Sequence, residues 1–440
     1  MGIIGTGDPS ECVASKGTMG LEGAWLWSLK DWIDRTWMAG YSTSLPSMEA
    51  PPLPISAVAL AAGGDAVEAE SSQQMRCSGC AAKVPADVLS RVMRRLREDA
   101  PSDGGALGGG GRNGVIVGVD GGDDCAIVSS EGKGFASVHT VDFLKSMVDD
   151  PFVLGVIAAN HALSDCHAMG AEPRTALAMA IVPYGVEDKV EDTLYQMMSG
   201  AVKSLAQSGC ILVGGHTCEG ADLSLGFAVN GALPPSSPAL LKAGEGVSKT
   251  GLKPGLSLIV TKPVGTGVIL AAHMRGDAKG TWVAAATESM VKSNGPAVPV
   301  LRKHQVVACT DVTGFGLAGH LAEMIKGGKV NIDLRAAEIP AITGAIECLD
   351  KGVRSSLDKA NARHSRLIRN AAAHDTSRLA LLFDPQTSGG LLALVPSHEA
   401  SQCVQGLKAA GYTEAAVIGE TTAAAPVPEG ACGMPPIRLV

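Results

Sequence analysis

Residues 310–320 read Thr310-Asp311-Val312-Thr313-Gly314-Phe315-Gly316-Leu317-Ala318-Gly319-His320. The apolar run ahead of them, Val306–Thr310, predicts a strand, and 315–326 predicts a helix. Between the two lie an acid, Asp311, and a turn loosened by Gly314 and Gly316. A strand that ends in an acid and passes through glycines into a helix suits an α/β architecture, in which ligands bind at strand ends.

The same alternation runs outward in both directions. Strand-like runs at Val115–Val119, Phe135–His139, Ala176–Val182, Ile211–Val213 and Ser224–Val229 are separated by helical patterns at 153–169 and 187–208. After Pro234-Pro235 the pattern restarts, with strands at Ser257–Thr261, Val306–Thr310 and Gly390–Val395. Helical stretches near 264–273, 280–293, 315–326 and 337–350 lie among them. Two α/β halves of a larger whole are the simplest parse: residues 77–235 and 236–425, followed by a loose tail at 426–440. Val84–Arg97 reads as a helix ahead of the first strand, and the glycine-rich patch 103–111 as a surface loop. Residues 46–76, rich in Pro, Ala and Gly, read as a linker.

Chemistry collects at the strand ends. Gly118-Val119-Asp120-Gly121-Gly122-Asp123-Asp124 closes a predicted strand in a glycine turn with three acids. Glycines admit backbone N–H groups to phosphate and acids supply metal ligands, although a calcium-type surface turn or a plain hairpin has the same composition. Asp142 follows the next strand. Asp165 sits in a helical pattern that puts Asn160 and Ser164 on one side, where a solvated or capping aspartate is the plainer reading. Gly214-Gly215-His216 follows the apolar run Ile211–Val213 and offers a backbone nest with an imidazole, or simply a tight turn. Asp384-Pro385-Gln386-Thr387-Ser388-Gly389-Gly390 is rigid and then flexible. Each signal is weak singly; their shared placement is not.

A different chemistry lies upstream, in Cys77-Ser78-Gly79-Cys80-Ala81-Ala82-Lys83. A lysine three residues from a cysteine favours the thiolate, the reactive form. Cys77 is a resolving thiol, a metal ligand or a bystander, and one CxxC is too little for structural zinc. The eleven scattered cysteines fit a reduced, cytoplasmic protein. A net charge of −8 argues against nucleic acid as a partner. No apolar run approaches the ~20 residues of a membrane span. Aromatics are only 3% of the chain, so its cores rest on Ala, Val, Leu and Ile.

From Cys80 to about Glu420 the chain resembles selenophosphate synthetase (selenide, water dikinase). The matching stretches are Asp123-Asp124, Asn160 to Asp165, Ala168-Met169-Gly170, Val213 to Thr217, Thr261 to Gly267, Thr310 to His320 and Phe383 to Leu392, in the same order. The resemblance implies an α/β (α+β) fold of two domains, the aminoimidazole-ribonucleotide-synthetase-like fold, in a homodimer. It implies that ATP, selenide and water give selenophosphate, AMP and orthophosphate, with Mg²⁺ and K⁺. Carried over position by position, it makes Cys80 the selenium-handling nucleophile and Lys83 its thiolate partner and a phosphate contact. Asp124, Asp165 and Asp311 become metal ligands. Gly121, Gly122, Asp123, Asp142, Gly214, Gly215 and His216 become ATP contacts, with Asp165 beside them. Many relatives read Cys-Gly-Cys-Lys, whereas here Ala82 replaces the second cysteine and Cys77 is added. A sibling ATP enzyme of the same fold is disfavoured by the Cys80–Lys83 loop and the Asp384–Gly390 turn. A non-catalytic nucleotide-binding regulator is disfavoured by the complete set of acids.

Residues 1–45 differ in kind. Trp25, Trp27, Trp32 and Trp37 are interleaved with charges, and Leu26, Leu29, Ile33 and Trp37 recur at helical spacing. A docked helix is the plain reading, and peripheral membrane contact the sharper one. The stretch also resembles the C-terminal tail of a NADH-dehydrogenase-like flavoprotein that some relatives carry ahead of the synthetase. Met1 is then expected to be internal to a longer protein, with a missing flavoprotein domain as a candidate partner.

Overall fold

Alternate residues of the stretch from Ala136 to Lys145 differ sharply in burial. Val138 and Leu144 are buried while His139, Val141 and Phe143 are exposed, as a strand with one covered face requires. The computed structural model describes residues 2–5, 12–16, 19–22, 91, 115–117, 125–129, 136–233, 252–325, 330–370, 376–423 and 437–440. The chain forms two compact units, Met1–Gln74 and Met75–Val440.

In the first unit, β1 (Gly2–Gly5), β2 (Cys12–Lys16) and β3 (Met19–Glu22) form an antiparallel sheet in the order β1-β2-β3. No strand was expected there. The proposed tryptophan helix and the linker lie outside the described residues.

The second unit carries two sheets. In its N-terminal half, β4 (Val115–Val117), β5 (Ala126–Ser129), β6 (Ala136–Lys145), β7 (Glu172–Pro183), β8 (Ile211–Gly220) and β9 (Ser224–Leu233) lie in the order β4-β5-β6-β9-β7-β8. Two helices of this half lie among the described elements. Helix α1 (Pro151–Ala168) opens on Asp150, whose side chain accepts from the Val153 N–H, with Pro151 in the first turn. It is apolar nearly all round because it is covered on every side. It packs on β6 and β9, on α2 (Glu187–Gln207) and on elements of the C-terminal half.

The C-terminal half contains β10 (Leu256–Val260), α3 (Thr266–Met274), α4 (Gly280–Val291), α5 (Ala297–Lys303), β11 (Ala308–Asp311), α6 (Gly316–Ile325) and β12 (Val330–Leu334). Then come α7 (Ala345–Asp350), α8 (Asp358–Asn361), α9 (Thr376–Leu381), β13 (Leu391–Pro396), α10 (Ala400–Ala409), β14 (Ala416–Ala423) and β15 (Ile437–Leu439). Its sheet runs β11-β13-β10-β14-β12-β15.

The expected alternation of strand and helix is present in chain order, in a mixed α/β fold. The pairing within it is mainly antiparallel, and among the described strands only β7–β8 and β12–β15 pair in parallel. Two expectations need correction. A single helix over 337–350 is broken, because Pro340 and Gly344 (φ 92°) interrupt it and only Ala345–Asp350 is α-helical. The last residues are not all loose: Ile437–Leu439 pairs with β12, and Arg438 forms an ion pair with Asp333. Leu270 and Met290 of the C-terminal half belong to the apolar core of the N-terminal half, so the seam between the halves is itself packed.

Candidate active site

On the covered face of β6, Thr140 and Asp142 point the same way. Helix α1 crosses that face. The Thr140 hydroxyl donates to Asp165 Oδ2, and His161 Nε2 lies 3.5 Å from Asp142 Oδ2. His161 is fully buried and Asp142 nearly so, so this imidazole and carboxylate face each other with little water between them. Helix α1 also packs against β11, which ends in Asp311, and Asp311 is 1% exposed. Asp142 and Asp165 therefore belong to one face, and the helix bearing Asp165 reaches the strand bearing Asp311.

The turn after Asp311 is fixed from several sides. His320 Nε2 accepts from the Thr313 N–H at 3.1 Å, which assigns the proton to Nδ1 in neutral His320. Asn361 donates to the carbonyls of Gly314 and Phe383, each at 2.9 Å. The Asp384–Gly390 turn then packs against the end of β11. A Cβ on Gly389 would lie 2.0 Å from the Val312 carbonyl oxygen, so only glycine allows that approach.

Asp384 and Gln386 of that turn hold the fold together. Gln386 Oε1 accepts from the N–H groups of Gly265 and Thr266, and Asp384 Oδ2 accepts from Gly267, all at the start of α3. They satisfy the free N–H groups of a helix that has no cap of its own. Burial pushes the Asp384 carboxyl up to about 7, against the lowering effect of the Val268 N–H, Gln386 and the Gly267 N–H.

Two residues without an expected role join the halves. Asn294 donates to Ser164 Oγ at 2.9 Å and to the Gly389 carbonyl at 2.8 Å. Asn160 donates to the Val291 carbonyl at 2.6 Å and accepts from Ser204 at 2.6 Å. The side of α1 that carries Asn160 and Ser164 thus faces the segment after α4. Lys262, in the stretch Thr261–Gly267, is fully buried and is lowered to about 7 by burial, then by Lys292, with Asp311 opposing. His167, one turn beyond Ser164, is held down at about 4 by burial and by the charge of Lys262. The sequence signal for Lys262 was a lysine two residues beyond the apolar strand Leu256–Val260.

Gly214, Gly215 and His216 do not form a turn; they lie within β8, which pairs with β7 as far as Gly220. A register shift opposite Ala176/Leu177 and the close approach of Gly215 to Ala178 carry the strand on. A Cβ on Gly215 would meet the Ala178 carbonyl at 2.2 Å. Asp142, Phe227, Ala178 and Gly215 form one row across the sheet. Three strand spacings, roughly 14 Å, therefore separate Gly215 from Asp142. Cys77, Cys80, Lys83, Gly121, Gly122, Asp123 and Asp124 lie outside the described residues.

Among the described residues, no three His, Cys, Asp or Glu side chains converge into a metal cluster. Asp165 and Asp311 are hard oxygen donors suited to Mg²⁺, which keeps waters and shares its ligands with substrate phosphates instead of needing an all-protein cage. No helix among the described residues is long and apolar enough to cross a membrane.

The family model of the AIR synthase related protein N-terminal domain matches residues 122–233, and that of the C-terminal domain matches 253–427. A selenide, water dikinase of Pelobacter propionicus is 36% identical over 350 residues, covering 79% of this chain and 94% of its own. That of Clostridioides difficile is 33% identical over 360 residues, covering 82% and 96%. That of Myxococcus xanthus is 36% identical over 353 residues, covering 80% and 94%. Among solved structures, the thiamine monophosphate kinase of Aquifex aeolicus superposes with a TM-score of 0.51 at 14% identity, covering 80% of this chain and 96% of its own. The kinase of Stenotrophomonas maltophilia gives 0.50 at 19%, covering 75% and 92%. These two likenesses concern the fold alone.

Proposed function

The chain belongs to the selenide, water dikinase family, and from that premise we propose how its residues divide the work of making selenophosphate, AMP and orthophosphate from selenide, ATP and water. The observation that carries the site reading is the double contact of α1. Asp165 is held by Thr140 of β6, beside Asp142, while the same helix packs on the strand that ends in Asp311.

Asp165 and Asp311, with Asp124, hold Mg²⁺, and Asp142 contacts ATP together with the Gly121-Gly122-Asp123 turn. When bound, Mg²⁺ neutralises charge on the phosphates as they are transferred, and K⁺ is the accompanying monovalent cation. His161 orients the Asp142 carboxylate from a water-poor pocket. Cys80 handles selenide as a thiolate, and Lys83 favours that thiolate and contacts phosphate. Gly214, Gly215 and His216 meet the nucleotide from the exposed edge strand β8.

A homodimer is part of the same proposal. On the open face of the N-terminal sheet, Val141 (59% exposed), Phe143 (40%), Leu177 (42%) and Met179 (37%) line up across β6 and β7. An antiparallel sheet that meets water is polar on that side, so this apolar band is suited to a second copy. The reaction is placed in the cytoplasm, and a flavoprotein domain outside this chain is a candidate partner for delivering reduced selenium.

Phosphorus NMR of the protein with ATP, Mg²⁺, K⁺ and selenide under anaerobic, reducing conditions tests the reading. A selenophosphate resonance with AMP and orthophosphate is expected. Conversion of ATP to ADP alone would move the assignment to a sibling kinase.

A further inference from the structure

The Lys262 side chain is unusual in what surrounds it. Its Nζ donates to three backbone carbonyls: Ser289 at 3.3 Å, Lys292 at 2.5 Å and Ser388 at 3.0 Å. Three acceptors match the three hydrogens of an ammonium, which leaves it hydrogen-bonded within the protein interior. The carbonyls come from two separate places. Ser289 and Lys292 belong to the C-terminal end of α4, and Ser388 to the Asp384–Gly390 turn.

Ser388 has φ 48°, a conformation that costs a non-glycine residue energy unless its surroundings enforce it. The neighbours of these carbonyls complete the connection. The Gly390 carbonyl accepts from the Val312 N–H at 2.9 Å, and Leu391 is the register partner of Asp311. On the other side, Asn294 ties the segment after α4 to Ser164, next to Asp165. The chain of contacts therefore runs from Asp311 through the turn to Lys262, and from Lys262 through the α4 segment to Asp165. Asp311 is also an acidic charge that acts on Lys262.

We propose that Lys262 is a positioning residue: its ammonium clamps the α4 segment to the Asp384–Gly390 turn and so sets Asp311 opposite Asp165. The proposal rests on the reading of Asp165 and Asp311 as metal ligands. Lys262 acts through backbone carbonyls, which explains why a cation with three donors, and not a hydrophobic side chain of equal length, is buried there.

The test uses Mn²⁺ as the probe, followed by electron paramagnetic resonance of the full chain with ATP, beside the melting temperature and metal-free ATP affinity. Lys262→Met keeps the stem and removes the donors. Mn²⁺ affinity is expected to fall by about tenfold or more while metal-free ATP affinity holds, as for loss of a group that orients a ligand. A lower melting temperature with unchanged Mn²⁺ affinity means a purely structural lysine and overturns the proposal. Asp311→Asn separates the two readings. If it weakens Mn²⁺ binding and Lys262→Met does not, the ligand reading stands and the clamp falls. If neither changes it, both fall. Should Lys262→Met fail to fold, Asn294→Ala frees the same segment from Ser164 and Gly389 and carries the same expectation; unchanged Mn²⁺ affinity there overturns the clamp.

Discussion

Asn294 donates its side-chain amide to Ser164 Oγ at 2.9 Å, joining a segment of the C-terminal half to the helix that carries Asp165. Both groups are buried, so this bond and the Asn160–Val291 bond help to hold the two halves together. Ser164→Ala removes one partner but leaves Asn294 its bond to Gly389, and should cost about 1 kcal/mol. Asn160→Ala takes partners from both the Ser204 hydroxyl and the Val291 carbonyl and should cost about 2–4 kcal/mol. Urea unfolding followed by circular dichroism measures both. Equal, near-zero costs would show that the seam is held by apolar packing alone.

The open face of the N-terminal sheet gives a second expectation. Leu177 and Met179 project from β7 into the apolar band, with Val141 and Phe143 in the matching rows of β6. Met179→Glu puts a charge where a second copy would exclude water, and desolvating it is unfavourable. In the isolated chain the position is 37% exposed, so the fold itself should tolerate the change. Sedimentation equilibrium should show a dimer for the natural chain and a monomer for Met179→Glu. A natural chain that sediments as a monomer at all concentrations would remove the dimer from the proposal.

Much of this architecture could be read in the residues, and the places where it could not have physical causes. Asp311 at the end of a strand and Asp165 within a helix were legible because apolar periodicity marks both elements. Strand β8 was read too short because its glycines resemble a turn; the parallel partner β7, distant in sequence, extends it. Strand β12 and the last strand, β15, stabilise each other through pairing and through Arg438–Asp333, a contact of 105 residues' separation that no local pattern announces. The roles of Lys262 and Asn294 were invisible for the same reason. Their partners are backbone carbonyls and a serine far along the chain, and carbonyls leave no mark in a sequence.

Asp384 should make stability depend on pH. Burial raises its folded value to about 7 from the model-peptide 3.8, so the folded state binds more protons than the unfolded state between those values. Its contribution is therefore fully favourable below about pH 4 and is lost as pH rises through about 7. Asp384→Asn keeps the acceptor for the Gly267 N–H and removes the titration. Relative to the natural chain, the variant should gain stability by at most about 1.4 kcal/mol per pH unit across that window and level off above it. Chemical unfolding at pH 5, 7 and 8.5 would show it. A constant difference would mean that the carboxyl stays ionised throughout, held by its N–H donors.

The cysteine loop carries the sharpest prediction about chemistry. If the Cys80 thiolate handles selenide and Lys83 supports it, Cys80→Ala and Lys83→Ala should each abolish selenophosphate formation, and ATP binding should survive in Cys80→Ala, because the aspartates and the Lys83 phosphate contact are untouched. Cys77→Ala distinguishes this from a disulfide mechanism. A Cys77 that acts on selenide together with Cys80 would be as necessary as Cys80. A bystander would leave turnover unchanged. Phosphorus NMR for selenophosphate, alongside calorimetric titration with ATP, reads all three variants. Retained selenide-dependent turnover in Cys80→Ala would end its assignment as nucleophile. Loss of ATP affinity in Lys83→Ala with turnover recovered at saturating ATP would limit Lys83 to holding phosphate.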